Sequence, residues 1–278
     1  MKCYKLFLLF CATAIFLTSC EKEEMASEEA AVELEHLDKV SKETLELISS
    51  LHFNSNDVQK IDFLLPDGST EKNLLIEGDI IITPQQLERM SGSNITEKQY
   101  RTYNLVNQGT VNVIGFTGGG GQGLTSKQRT ALQRAINNYN ALNIGLNFTL
   151  SFGTNYSPYD IVVYQNPNGQ AGGVAGFPSN GDPYKYVQIF SGMNNYSTAT
   201  NEHVMTHEIG HAVGLRHTDW STRQSCGQSG ESAGYDGAVH IPGTPTGYDP
   251  DSVMLACFSA SEDGNFGYYD RVALEYLY

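Results

Sequence analysis

Residues 207–217 read His-Glu-Ile-Gly-His-Ala-Val-Gly-Leu-Arg-His, and this stretch restricts the fold more than any other in the chain. His207 and His211 are four apart, so on a helix they stand one turn above each other on one face. Two imidazoles at that spacing can chelate one zinc ion, a metal suited to nitrogen ligands. Glu208 follows about 100° round the helix, poorly placed as a direct ligand but able to reach a water on the metal. Gly214 can take the left-handed conformation that ends a helix, which lets the chain turn and bring His217 back to the same ion. With 7 His in the chain, His-Glu-x-x-His alone arises by chance in roughly 1% of such sequences, and the glycine and third histidine lower this to a few in ~10⁵. The competing reading is an amphipathic helix with incidental histidines. His203 stands one turn before His207 and reads as a packing or outer neighbour, because a His203–His207 pair would leave Glu208 and Gly214 without a role.

The rest of the chain divides in two. From about Asn104 the pattern predicts a strand at Val111–Phe116, a helix from Ser126 to Leu142 capped by Thr125, and strands at Asn147–Phe152 and Asp160–Tyr164. A Gly-rich passage from Gly169 to Gly176 leads to a strand at Tyr186–Phe190, and the histidine helix is expected from about Thr198 to Val213. Strand, helix, strands and helix in about 170 residues imply one α+β domain over 101–278 with a twisted mixed sheet. Between Val40 and Met90 only short apolar runs occur, too little for a large core, so a small lobe or an extended segment lying on another surface is expected. Residues 21 to about 40 are polar and rich in Glu and read as a tether.

At the extreme N-terminus, Lys2 and Lys5 precede an apolar run, Leu6 to Leu17, too short to span a bilayer. It ends in Leu17-Thr18-Ser19-Cys20, which resembles the bacterial lipobox. Residues 1–19 are therefore expected to be a lipoprotein signal, with Cys20 carrying the lipid at an outer membrane or cell surface. Cys3 and Cys11 would leave with the signal, so Cys226 and Cys257 remain as an even pair in an oxidising compartment, and one disulfide is expected between them. The formal charge of −14 excludes a basic surface for nucleic acid.

The segment His207 to His217 matches the long zinc signature of the metzincins, and its spelling His-Glu-Ile-Gly-His resembles the bacterial dual-action HEIGH metallopeptidases. The resemblance covers roughly 108–278. It implies a zincin-like domain with a long active-site helix, zinc held by His207, His211 and His217, and Glu208 as general base. It also implies a methionine turn at Ser252-Val253-Met254-Leu255, with Met254 as a floor beneath the metal, and a closing helix at Tyr269–Tyr278. In astacin-like relatives a tyrosine follows that methionine by two residues; here the position is Ala256. The resemblance further implies that Tyr186–Phe190 lies along the cleft rim and pairs with extended peptide, and that the segment after Met254, including Cys257, shapes the pocket beyond the scissile bond. Leu75-Ile76-Glu77-Gly78-Asp79-Ile80 resembles the Phe-x-Gly-Asp segment of astacin propeptides, with Ile76 in place of the aromatic. On that reading residues 20–100 form a tether and inhibitory prosegment, Asp79 caps the zinc, and maturation cuts at Arg101 or a nearby bond. A strand and turn in an unrelated lobe is the alternative.

Three imidazoles leave a position on zinc for water, whose pKa falls towards ~7, and Glu208 would take its proton. The function expected is that of an exported zinc endopeptidase, made latent, acting on proteins or peptides and favoured as a monomer. The alternative is a non-catalytic surface lipoprotein that binds peptide or glycan through such a domain; a metal store suits an open coordination position poorly. Substrate preference and any calcium requirement are not legible.

Overall fold

The computed structural model describes residues 39–51, 53–91, 101–102, 104–220, 222–228 and 240–278. The expected signal and Cys20 lie outside the described residues. Ser41 opens helix α1 (Lys42–Ser50), its hydroxyl accepting the Thr44 N–H at 3.2 Å, and Ile48 is the buried anchor of that helix. Strands β1 (Val58–Leu64), β2 (Thr70–Ile76) and β3 (Ile80–Ile82) form an antiparallel sheet in that order. The β1–β2 turn is set by Asp67, whose carboxylate accepts the Ser69 N–H at 2.9 Å and hydroxyl at 2.6 Å. Helix α2 (Pro84–Ser91) starts with proline at its first position, where no N–H is needed, under a reciprocal cap between Thr83 and Gln86. Ile48, Leu51, Leu74, Ile76, Ile80 and Leu87 pack with Phe177 from the later chain. Phe63, Leu65 and Ile81 instead join the main core. This N-terminal lobe shares its interior with the chain that follows, and the two belong to one compact unit, Val40–Tyr278.

The main sheet has the order β5-β4-β6-β8-β7, from β4 (Gly109–Phe116), β5 (Leu146–Gly153), β6 (Ile161–Asn166), β7 (Gly173–Val174) and β8 (Tyr186–Phe190). β4 pairs in parallel with β5 and β6, and β6 with β8, while β7 runs antiparallel to β8. Helix α3 (Ser126–Asn140) crosses between β4 and β5 under a capping box of Thr125 and Gln128, packing Leu132, Ala135, Ile136 and Tyr139 on the sheet. This is the mixed α+β architecture expected. One expectation is corrected: Tyr186–Phe190 is not the rim, because β6 and β7 occupy its two edges. The rim strand is β7, hidden in the Gly-rich passage because two residues carry no periodicity.

Helix α4 (Thr198–Ala212) is buried on every side from Thr200 onward, as a helix through the middle of a domain must be. It begins at Ser197, whose hydroxyl accepts the Thr200 N–H at 3.0 Å. It ends at Gly214, whose φ of 107° is the left-handed turn read from the sequence. Helix α5 (Tyr268–Leu277) closes the chain, with the Tyr278 hydroxyl donating to the Val213 carbonyl. No helix among the described residues is long and apolar enough to cross a membrane.

Candidate metal centre

Because α4 stacks His207 over His211 and the Gly214 turn redirects the chain, His217 returns to the same point. The His211 and His217 Nε2 atoms are 3.2 Å apart. Asp79, at the mouth of β3 in the N-terminal lobe, completes the group. Its Oδ2 is 2.9 Å from His217 Nε2 and 3.6 Å from His207 Nε2. The four donor atoms lie within 4.8 Å of one another. A tetrahedral zinc site with bonds near 2.0–2.1 Å has donor–donor edges of about 3.4 Å, so this set has the chemistry and spacing to hold such an ion.

The tautomers agree with that use. His207 Nδ1 is 2.9 Å from the Val253 carbonyl and His211 Nδ1 is 2.8 Å from the Leu215 carbonyl. A carbonyl only accepts, so both Nδ1 atoms carry hydrogen and both Nε2 lone pairs face the focus. Burial, with the positive fields of His207 and His217, pushes His211 well down. Burial also lowers His217, but Asp79 and Glu77 outweigh it and push that imidazole up to about 9. Burial would raise Asp79, yet the positive field of His217 and the close approach of the His207 and His217 rings hold it far below the usual carboxylate range. A bound divalent cation would take the place of the His217 proton, leaving the Asp79 carboxylate among three neutral imidazoles.

Glu208 is 2% exposed. Its Oε2 has no hydrogen-bond partner among the described residues, and it stands outside the four-donor group. Burial, then the Asp79 carboxylate, pushes its carboxyl well above the ordinary range, the direction a general base needs. Beneath the histidines Met254 is 1% exposed. A Cβ on Gly210 would come 2.5 Å from its sulfur, so glycine there lets the helix rest on the methionine. Asp270 fixes this turn by accepting the Ser252 hydroxyl at 2.7 Å and the Val253 N–H at 2.8 Å.

Residues 74–278 match the dual-action HEIGH metallo-peptidase family. The chain belongs to this family. It is a metallopeptidase, a hydrolase of peptide bonds. Two solved structures of myroilysin are similar to it. One is 14% identical, covering 62% of this chain and 81% of that one with a TM-score of 0.40; the other is 16% identical, covering 66% and 89% with a TM-score of 0.37. No curated protein matches the chain.

In this metallopeptidase the cleft beside the donor group is a cavity of about 460 Å³. One wall is Gly172 and Gly173 at the edge strand, and the other includes Tyr196, Val204, Leu255, Cys257 and Phe258. Cys257 is bonded to Cys226, 31 residues earlier, a closure that stabilises by roughly 3 to 4 kcal/mol on the chain-entropy model. Asp219 joins that bridge to the methionine turn, accepting the Ala256 N–H at 2.9 Å and the Ser225 hydroxyl at 2.6 Å. His203 lies outside the donor group; its Nδ1 is 2.9 Å from the Asp263 carbonyl, and burial, with His207, pushes it down to about 4.

Two neighbours of the site escaped sequence reasoning. Glu77 carried no pattern of its own, and Gly173 was one glycine among many. A Cβ on Gly173 would lie 2.8 Å from Glu208 Cγ and 2.9 Å from both Glu208 Oε1 and the Gln188 carbonyl oxygen. Gly173→Ala is therefore expected to push Glu208 aside and lower kcat about 10- to 100-fold, with metal content unchanged. Steady-state kinetics beside metal analysis checks it.

Proposed function

We propose that this metallopeptidase is a zinc endopeptidase that works outside the cell on proteins or peptides and is made in a latent form. The observation that carries the reading is the convergence of three imidazole Nε2 atoms and a removable carboxylate beside a buried glutamate. Zinc held by His207, His211 and His217 would polarise the scissile carbonyl and acidify water. Glu208 then takes a proton at its carboxylate and returns it to the leaving amine. The peptide lies extended along β7, adding a strand to the free edge. The residue after the scissile bond enters the pocket bounded by Tyr196 and Phe258, whose wall the Cys226–Cys257 bridge holds.

Latency rests on Asp79. Its carbonyl accepts the Ala175 N–H at 3.0 Å, and the Ala175 carbonyl accepts the Ile81 N–H at 2.8 Å, so the lobe takes the edge just beyond β7 while the Asp79 carboxylate takes the water's place. Residues 20–100 act as tether and prosegment, Cys20 carries the anchoring lipid, and cleavage near Arg101 separates the parts of a monomer.

The test is to nick the purified full chain briefly with trypsin, quench the trypsin, and assay a mixed quenched-peptide library. Cleavage that rises after nicking, disappears with a zinc chelator and returns on adding zinc is expected. Cleavage indifferent to chelator would overturn the zinc reading. A folded, zinc-loaded, nicked protein that cuts nothing would favour a binding module.

A further inference from the structure

Asp79 is not the only carboxylate that the β2–β3 turn carries into the metal centre. Glu77, two residues earlier, is 2% exposed and sits behind His217, on the side away from the other imidazoles. Its Oε1 accepts the Asn54 N–H at 3.1 Å and lies 3.5 Å from Arg216 Nη2. Its Oε2 is 3.4 Å from His217 Nδ1 and has no hydrogen-bond partner among the described residues. That oxygen is fully buried and faces the imidazole edge.

The backbone is shaped to this end. Glu77 has a φ of 58° and Gly78 of 90°. The left-handed region costs a non-glycine residue about 1 kcal/mol or more, and such residues persist where the surroundings hold them. The turn is held by the Glu77 N–H on the Asp57 carbonyl at 3.1 Å and by Arg223 Nη2 on the Glu77 carbonyl at 2.6 Å. Between them, residues 77 and 79 reach both nitrogens of one imidazole: Asp79 at Nε2, Glu77 at Nδ1.

His207 and His211 each have Nδ1 fixed by a backbone carbonyl. His217 has none, and Glu77 stands where that carbonyl would. Arg223 Nη1 is 3.5 Å from the same Nδ1, but a guanidinium has no lone pair to offer an N–H, so it cannot fix the tautomer that leaves Nε2 free. We propose that Glu77 is a positioning residue of the metal centre: its carboxylate receives the His217 Nδ1–H, orients the ring and makes Nε2 a stronger donor. Groups that orient a metal-binding histidine in this way are worth 10- to 100-fold in metal affinity. The inference rests on His217 being a zinc ligand, and it assigns the N-terminal lobe a part in holding the metal as well as in covering it.

The test compares zinc affinity of the full chain, by competition with a chromogenic chelator, for wild type, Glu77→Gln and Arg216→Met. Glu77→Gln is expected to bind zinc 10- to 100-fold more weakly, and Arg216→Met to stay within threefold of wild type. The downfield Nδ1–H resonance of His217 in the zinc-loaded wild type should move on Glu77→Gln and persist in Arg216→Met. If Glu77→Gln does not fold, Glu77→Asp, which keeps the charge but withdraws it, is expected to weaken zinc 3- to 10-fold. Zinc affinity within twofold of wild type for the glutamate variant overturns the proposal. So does an equal loss in Arg216→Met, which would make Glu77 merely the counter-charge of Arg216. A wild-type chain that takes up no zinc overturns the metal reading itself, and that failure is seen without any variant.

Discussion

Glu208→Gln is expected to lower kcat/KM of the nicked enzyme about 10²- to 10⁴-fold, the usual contribution of a positioned general base, or about 3 to 5 kcal/mol of transition-state stabilisation. The amide keeps the shape of the side chain between α4 and Gly173 but cannot accept a proton. KM should change little, because the amide keeps the size and shape of the side chain where it lines the cleft. Zinc content should not change at all. The pH profile adds an independent sign. A general base works only when deprotonated, so activity is lost as pH falls through its pKa. Burial and the Asp79 carboxylate push the Glu208 carboxyl above the ordinary carboxylate range. In the nicked enzyme Asp79 has left and burial alone acts in that direction, so the acid limb of kcat/KM should vanish from the residual rate of the variant. A variant retaining more than a tenth of the activity, with its acid limb intact, would remove Glu208 from the reaction.

What could be read in advance and what could not divides along a physical line. The His207–His217 segment is local chemistry. Helical spacing, one glycine turn and one return fix the relation of three side chains within eleven positions, and the structure reproduces the Gly214 turn with φ of 107°. Helix α3 was legible because Thr125 signals its cap in the sequence itself, and the structure adds Gln128 as the reciprocal partner. Strand β7 was not legible, since its place as the rim depends on which strands lie beside β8, and pairing partners are non-local. Glu77 was hidden for the same reason. Its relation to His217 spans 140 positions, and nothing in Ile76-Glu77-Gly78-Asp79 distinguishes a buried acid from a solvated turn. The two misses share a cause: each belongs to a contact between the lobe or its neighbouring edge strand and the domain it covers. Local patterns announce the side chains of a site more readily than the backbone that frames it.

Asp79→Ala carries the other large effect, an uncut chain that is already active. A plug that holds the competent state to about 1% suppresses activity about 100-fold, and removing its contribution restores that factor. The lobe stays in place in this variant, because the Ile81 and Ala175 backbone pairing and the Ile80, Leu74 and Phe177 packing do not involve the carboxylate. Small peptides should therefore gain most, about 100-fold over uncut wild type. Long substrates that need the edge of β7 and the space beyond it should gain less until the chain is nicked. Asp79→Asn separates the charge from the bulk: an amide is a weaker metal donor than a carboxylate, so its activity should fall between wild type and Asp79→Ala. Trypsin nicking should then add little for small peptides in Asp79→Ala and much in wild type. If the zinc-loaded, uncut Asp79→Ala chain is as silent as uncut wild type towards small peptides, the carboxylate is not the switch. Latency would then reside in the backbone that the lobe lays across the edge, and Gly78 with its neighbours, not the aspartate, would be the part to alter next.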